Sequence, residues 1–287
     1  VDESLGSRED DGMRWWWMLA ALAVAGCGSG HAAERPEPPP SLGTTFVTGH
    51  PAVGIAVERR GRVELVGLDG DVVARIPGVG LAFAPDRDGV VLSQRGARWL
   101  FRPGTGRFVR LPGLHVPRPR VGCREASHRG ALTLFLCAPP AREPGSLPSA
   151  KTIELRRGTG RRIVLARPPF PAPSPDTGPI GHWESAKVSP DGRTVLAQWS
   201  AECEVPIAFV VAVAGGALRP VAGTLHDPVD SIALGWSPEG SAVVSLPSLG
   251  CGGGYDGPGV YLVSTAGKPL RAIVKGRDIR GAQLWTS

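Results

Sequence analysis

The sequence predicts an all-β chain of repeated four-stranded units, and three observations predict it. Short β-rich runs ending at a turn glycine recur five times along the 287 residues. Between them a second element recurs, in which an apolar strand meets a Pro-acidic turn and another strand follows. The 40 Gly and 29 Pro then demand many turns and leave little room for long helices. With 42% hydrophobic and 20% charged residues the chain has enough apolar material for a sizeable core, so global disorder is excluded. The longest apolar run, Trp15–Gly26, is 12 residues. A spanning helix needs roughly 20, so a membrane-spanning bundle is excluded too.

Taken in order, the chain begins with Met13-Arg14 ahead of Trp15-Trp16-Trp17 and an apolar stretch to Ala25, the arrangement of a secretory signal. The stretch ends in Val24-Ala25-Gly26-Cys27, which resembles the bacterial lipobox. That resemblance implies a signal peptide over residues 1–26, a lipid on the Cys27 thiol, and export to the extracytoplasmic side of a bacterial membrane. Two starts are open. From Met13 the signal is 14 residues (13–26), whereas from Val1 the acidic pair Asp10-Asp11 precedes Arg14. Residues 27–45 read as a tether, flexible at Gly28-Ser29-Gly30 and stiffer at Pro36-Glu37-Pro38-Pro39-Pro40. Removing residues 1–27 takes away five acidic and two basic residues and raises the net charge from +6 to +9. On an exported protein such a basic surface favours anionic lipid headgroups or envelope polymers over nucleic acid. Only four of the 32 basic residues are Lys (151, 187, 268 and 275), and the remaining 28 are Arg.

Residues 46–287 carry the repeat. Val63–Gly70, Ala208–Gly215 and Val260–Gly267 align without gaps, and two weaker copies end in Gly104-Thr105-Gly106-Arg107 and Gly158-Thr159-Gly160-Arg161. A second apolar run follows each turn, so these are five hairpins with turn glycines at 70, 106, 160, 215 and 267. The second element is clear at Leu81–Asp86 leading to Val90, at Val188-Ser189-Pro190-Asp191-Gly192 leading to Val195, and at Trp236-Ser237-Pro238-Glu239-Gly240 leading to Val243. A degenerate copy runs from Val121 through Gly130 to Leu134. In these turns Ser caps the first position, Pro presets φ near −65°, and Gly supplies the left-handed residue that returns the chain. Each unit is two hairpins in series.

This pattern resembles the β-propellers of the TolB type and, more generally, the WD-repeat-like propellers, through its Ser-Pro-Asp-Gly turns. The likeness covers residues 46–287 in architecture, and the motif is complete at Ser189–Gly192. The resemblance implies fold; it transfers no role in the Tol-Pal system, because a tether stands where TolB has an α/β domain.

Closure follows from the count of strands. The first unit has three, Gly54–Glu58, Arg62–Leu68 and Val72–Ile76, and the segment Gly281–Ser287 reads as one further first strand, with Trp285 standing where Trp236 stands. A closing strand donated by the C-terminus to the N-terminal blade gives five blades without open edges. A sixth, within the proline-rich stretch Pro168–Pro179, is the alternative.

Apart from Cys27, four cysteines remain, and an even count in an exported chain argues for disulfides. Cys203 lies eight residues after Val195 and Cys251 eight after Val243, which places them in the same loop of adjacent blades. The expected pairs are Cys203–Cys251 and Cys123–Cys137. No metal site, cofactor, phosphate loop or nucleophile elbow is signalled by the six scattered His or by any motif. Loops entering the inner strands surround one mouth of the channel, and the candidate ligand rim there is His115, His182, Glu184, Asp230 and Asp278. The Gly250–Gly259 segment, with Tyr255 and Asp256, reads either as a binding loop or as a solvent-exposed insertion. Trp99, Trp183, Trp199, Trp236 and Trp285 are expected to pack between blades rather than to stack on sugars. The expected function is a non-catalytic, monomeric, lipid-anchored module that binds or scaffolds a protein or envelope polymer. The alternative is a propeller glycosidase with two carboxylates at the channel mouth, about 5 to 9.5 Å apart.

Overall fold

Among the described residues, twenty strands form five four-stranded antiparallel sheets in a computed structural model. It describes residues 38–42, 52–82, 89–112, 121–140, 148–170, 181–201, 205–222, 225, 229–246, 258–266 and 269–286. The first blade holds β1 (Val53–Arg59), β2 (Arg62–Gly67) and β3 (Val72–Pro77). The second holds β4 (Gly80–Leu81), β5 (Val90–Gln94), β6 (Ala97–Arg102) and β7 (Arg107–Leu111). The third holds β8 (Gly122–Arg129), β9 (Leu132–Ala138), β10 (Thr152–Arg157) and β11 (Ile163–Ala166). The fourth holds β12 (His182–Val188), β13 (Thr194–Ser200), β14 (Pro206–Ala212) and β15 (Arg219–Pro220), and the fifth β16 (Ile232–Trp236), β17 (Ala242–Leu246), β18 (Gly259–Val263) and β19 (Pro269–Lys275). The last strand, β20 (Ile279–Thr286), returns to the first blade and pairs antiparallel with β1, from Val53 opposite Thr286 to Glu58 opposite Gly281. This is a five-bladed β-propeller closed by its C-terminal strand, as the repeat predicts. The innermost strands are β20, β4, β8, β12 and β16.

The turns form for the reasons their sequence gives. At Ser189–Gly192 the Ser189 hydroxyl donates to the Asp191 carboxylate and accepts the Thr194 amide at 2.9 Å, while Gly192 takes φ 70°. The Ser189 hydroxyl above all, and the Arg193 amide donating to Asp191 Oδ1 at 3.0 Å, hold the Asp191 carboxyl below the usual carboxylate range. Ser237 repeats the device, accepting the Ser241 amide at 3.1 Å. In the third hairpin Gly158 takes the left-handed conformation (φ 53°) directly after β10, and Gly160 closes the turn by donating to the Arg157 carbonyl at 2.9 Å.

Four hydrophobic clusters fill four of the interfaces between neighbouring blades. Trp285, Val63, Leu65 and Ile76 meet Leu92, Trp99 and Phe101 between the first and second blades, where Leu42 also packs. Leu134, Leu136 and Ile153 meet Trp183, Trp199 and Phe209 between the third and fourth. The fourth and fifth share Leu196, Val210, Val244 and Tyr261, and the fifth and first share Val243, Val260, Ile55 and Val57. On the side of the second blade facing the third lies only a small cluster, Ala82, Val91 and Leu100 with Leu111, all from the second blade itself. Among the described residues, no cluster spans that seam. All five tryptophans expected between blades are buried, which leaves no ring face open to stack on a sugar. Gly54 makes one of these packings possible, because a Cβ there would come within 2.4 Å of the Trp285 ring.

Residues 39–287 form one compact unit. The predicted signal, Cys27 and the tether up to residue 37 lie outside the described residues, as do Cys203, Cys251, His115 and most of the Gly250–Gly259 segment.

Candidate functional site

Strand direction decides which loops share a mouth of the ring. The innermost strands run the same way, so the segments entering them open at one mouth together with the connections between the second and third strands of each blade. At that mouth the chain connects through residues 112–121, 139–151, 167–181, 221–231 and 247–258, all on the third to fifth blades or entering them. The first two blades carry two-residue turns there, at 60–61, 78–79 and 95–96. The opposite mouth has mainly tight turns, such as 68–71, 189–193 and 237–241. The long-loop mouth is the candidate site.

Of the predicted rim, His182, Glu184, Asp230 and Asp278 stand at the entry of β12, β16 and β20, at this mouth. His182 and Glu184 come together, with Nε2 and Oε1 4.0 Å apart, both well exposed. Glu184 owes that exposure to a β-bulge. Trp183 faces Trp199 and Ser185 faces Gln198, so Glu184 has no partner across the ladder and turns out to solvent. Three of the other four inner strands carry the same irregularity, at Ala126 in β8, Leu234 in β16 and Arg280 in β20. Asp230 is buried, and burial raises its carboxyl above the usual range. Asp278 is not open to a ligand in the same way, since Arg59 Nη1 holds its Oδ1 at 3.2 Å.

The structure places three cations at this mouth that were not in the predicted rim, Arg59, Arg124 and Lys151. Arg59 holds Asp278. Arg124 donates to the Glu184 carbonyl at 2.8 Å and so ties the third blade to the fourth. Lys151 donates to the Gly181 carbonyl across the same boundary, and burial lowers its pKa. Farther along β12, Lys187 bridges one blade on by donating to the Leu234 carbonyl at 3.0 Å. Two glutamines complete the pattern. Gln198 accepts the Ala233 amide at 2.7 Å and donates to the Ser231 carbonyl at 3.2 Å, and Gln283 accepts the Val91 amide at 3.1 Å and donates to the Ala82 carbonyl at 2.7 Å. Innermost strands have one unpaired edge, and side chains of the preceding blade cap it.

At the same end of the third blade the disulfide Cys123–Cys137 joins residues directly opposite in β8 and β9. Glu154 lies beside it, 3.8 Å from the Cys123 sulfur. These three are the one group of metal-ligating type among the described residues. With both sulfurs committed to the disulfide, no thiolate is left to bind an ion.

No family model matches the chain, and no curated protein matches it in sequence. Among solved structures it is similar to a putative TolB from Agrobacterium tumefaciens, at 14% identity over 79% of this chain and 72% of that one, with a TM-score of 0.34. It is similar to a gluconolactonase from Xanthomonas campestris, at 14% identity over 84% of this chain and 86% of that one, with a TM-score of 0.33. A puromycin hydrolase aligns at 15% identity and a TM-score of 0.35 over 82% of this chain, which spans only 39% of the hydrolase. A TolB and two hydrolases stand side by side here, and none of their activities is carried over to this chain.

Proposed function

We propose that this propeller is a non-catalytic binding or scaffolding module, exported and held on the extracytoplasmic face of a bacterial membrane by a lipid on Cys27. It takes a protein or envelope polymer at the long-loop mouth, around His182, Glu184 and Asp230. The observation that carries this reading is the asymmetry of the ring. Long connections gather at one mouth over three blades, while Asp278 there is held by Arg59 and Cys123 and Cys137 are held by each other. A ring that gathers long connections at one face suits recognition. Two measurements test it. A photo-crosslinking residue at position 182 should give an adduct in intact cells, and one at position 193, at the opposite mouth, should not; equal adducts at both overturn the site. Mature protein should fractionate with membranes and carry a diacylglyceryl mass at Cys27, and Cys27→Ala should be soluble; an unmodified Cys27 in membrane-bound protein overturns the anchor.

One observation favours a second reading. A carboxyl whose pKa is raised by burial, as at Asp230, is the direction a glycosidase acid needs, and Glu184 enters the same mouth on the neighbouring blade. Turnover on a glycan panel that disappears in Asp230→Asn and Glu184→Gln, with folding intact, would replace the binding reading by this one.

A further inference from the structure

The arginines of this chain are not all employed alike. On the first blade Arg62 and Arg75 meet the buried Glu64 carboxylate at 2.9 and 3.3 Å, and on the outermost strand of the fifth Arg271 donates to the carbonyls of Leu68 and Asp69. The second blade differs. From Gly89 to Arg124 the sequence has eight Arg and no Asp or Glu. On β6 and β7, Arg102, Arg107 and Arg110 are exposed and have no carboxylate partner among the described residues.

Arginine on an outermost strand has a plain explanation, since charge discourages edge-to-edge pairing of sheets. That explanation does not cover the residues between the arginines. Of the six large hydrophobic side chains exposed among the described residues, four belong to the second and third blades or to the link between them. Val109 stands between Arg107 and Arg110 on β7, 46% exposed, and Ile163 and Val164, at 55% and 46%, follow Arg161 and Arg162 on β11. Val121, at the entry to β8, is the fourth. β7 and β11 are the outermost strands of neighbouring blades, so these residues lie on neighbouring parts of the circumference. The seam between the two blades is also the one without a shared hydrophobic cluster among the described residues.

We infer that the circumference of the second and third blades is a docking surface for an anionic phospholipid bilayer, with Arg107, Arg110 and Arg161 meeting headgroup phosphates and Val109, Ile163 and Val164 entering the interface. This rests on the envelope location proposed above. Phosphate and an anionic polymer would satisfy the arginines equally, but a polymer in water gains nothing from exposed aliphatic side chains, whereas the headgroup and acyl boundary accepts both. The bilayer is therefore the occupant favoured by the combination.

The test uses the full chain with Cys27→Ala, so that a lipid on Cys27 plays no part and failure of the anchor leaves the result readable. Co-sedimentation is measured with vesicles of phosphatidylcholine alone and of phosphatidylcholine with phosphatidylglycerol at about 7:3, against salt and against heparin as a soluble polyanion. Binding is expected only to the anionic vesicles and to weaken with salt. Arg107→Ser with Arg110→Ser should weaken it by roughly 30-fold, at about one kcal/mol for each cation near the surface. Ile163→Ser with Val164→Ser should weaken it by roughly tenfold. Arg193→Ser with Arg219→Ser on the fourth blade removes the same charge and should change it little. The inference is overturned if the fourth-blade pair has the same effect, if neutral vesicles bind as well, or if the aliphatic variant binds like the parent while heparin competes fully. Circular dichroism of each variant separates loss of binding from loss of fold.

Discussion

Removing residues 281–287 should unfold this ring, although a cut at a chain end is ordinarily mild. The segment pairs with β1 along most of its length, and the first blade has no other innermost strand. Trp285 is 1% exposed and sits in the cluster between the first and second blades against the space left by Gly54. Trp285→Ala alone should cost about 3–5 kcal/mol, the usual range for deleting a buried aromatic ring. At about 2–4 °C per kcal/mol for a domain of this size, that lowers the thermal midpoint by about 6–20 °C. The deletion also removes the β1 ladder and Gln283, whose amide caps the Val91 amide and the Ala82 carbonyl of the second blade. The combined loss approaches the whole stability of an ordinary domain, about 5–15 kcal/mol. Thermal melts followed by circular dichroism should show a lowered midpoint for Trp285→Ala and no cooperative transition for the deletion. A deletion variant that melts within about 2 °C of the parent would refute closure by β20.

The interblade caps make a second prediction. Gln198→Leu leaves the Ala233 amide and Ser231 carbonyl without their partner and should cost about 1–3 kcal/mol in urea unfolding, with Gln283→Leu similar; losses under about 0.5 kcal/mol would mean that water serves these groups equally well. Asp230 makes a third. Burial raises its folded carboxyl above the ordinary value of about 3.9. Below that value both states hold the proton and the contribution is fully present; as pH rises the unfolded chain ionises first and stability is lost until the folded carboxyl ionises too. Urea midpoints measured from about pH 4 upward should therefore fall for the parent relative to Asp230→Asn, and a parent that gains on the variant with rising pH would contradict the burial argument.

The five blades and their closure were legible because they rest on alternation and turn chemistry, both of which act over a few residues. Trp285 could be matched to Trp236 by position alone, and Cys123 to Cys137 by the hairpin between them. The bulges were not legible, since one unpaired residue leaves the composition of a strand unchanged: Trp183 and Ala186 remain buried with Glu184 turned out between them. Nor were the bridges between blades. Nothing local distinguishes a lysine that reaches a carbonyl some thirty or more residues away, as Lys151 and Lys187 do, from one that points into water. The one trace is compositional, in that two of only four lysines in an arginine-rich chain hold these places. Lysine carries three donors on a compact head, which suits a single carbonyl better than the broad fork of arginine.

Two asymmetries of the ring have to be compatible if both proposals hold. The outermost strands of a propeller form its circumference, so a ring resting on β7 and β11 would lie with its channel axis along the bilayer rather than across it. Neither mouth would then be buried in lipid. The long-loop mouth, with His182, Glu184 and Asp230, would open sideways above the headgroups, where an envelope partner can approach. Docking through a mouth would instead cover the loops that the binding reading needs. The arginines and exposed aliphatic residues lie on the circumference, on the two outermost strands where docking leaves the recognition face clear.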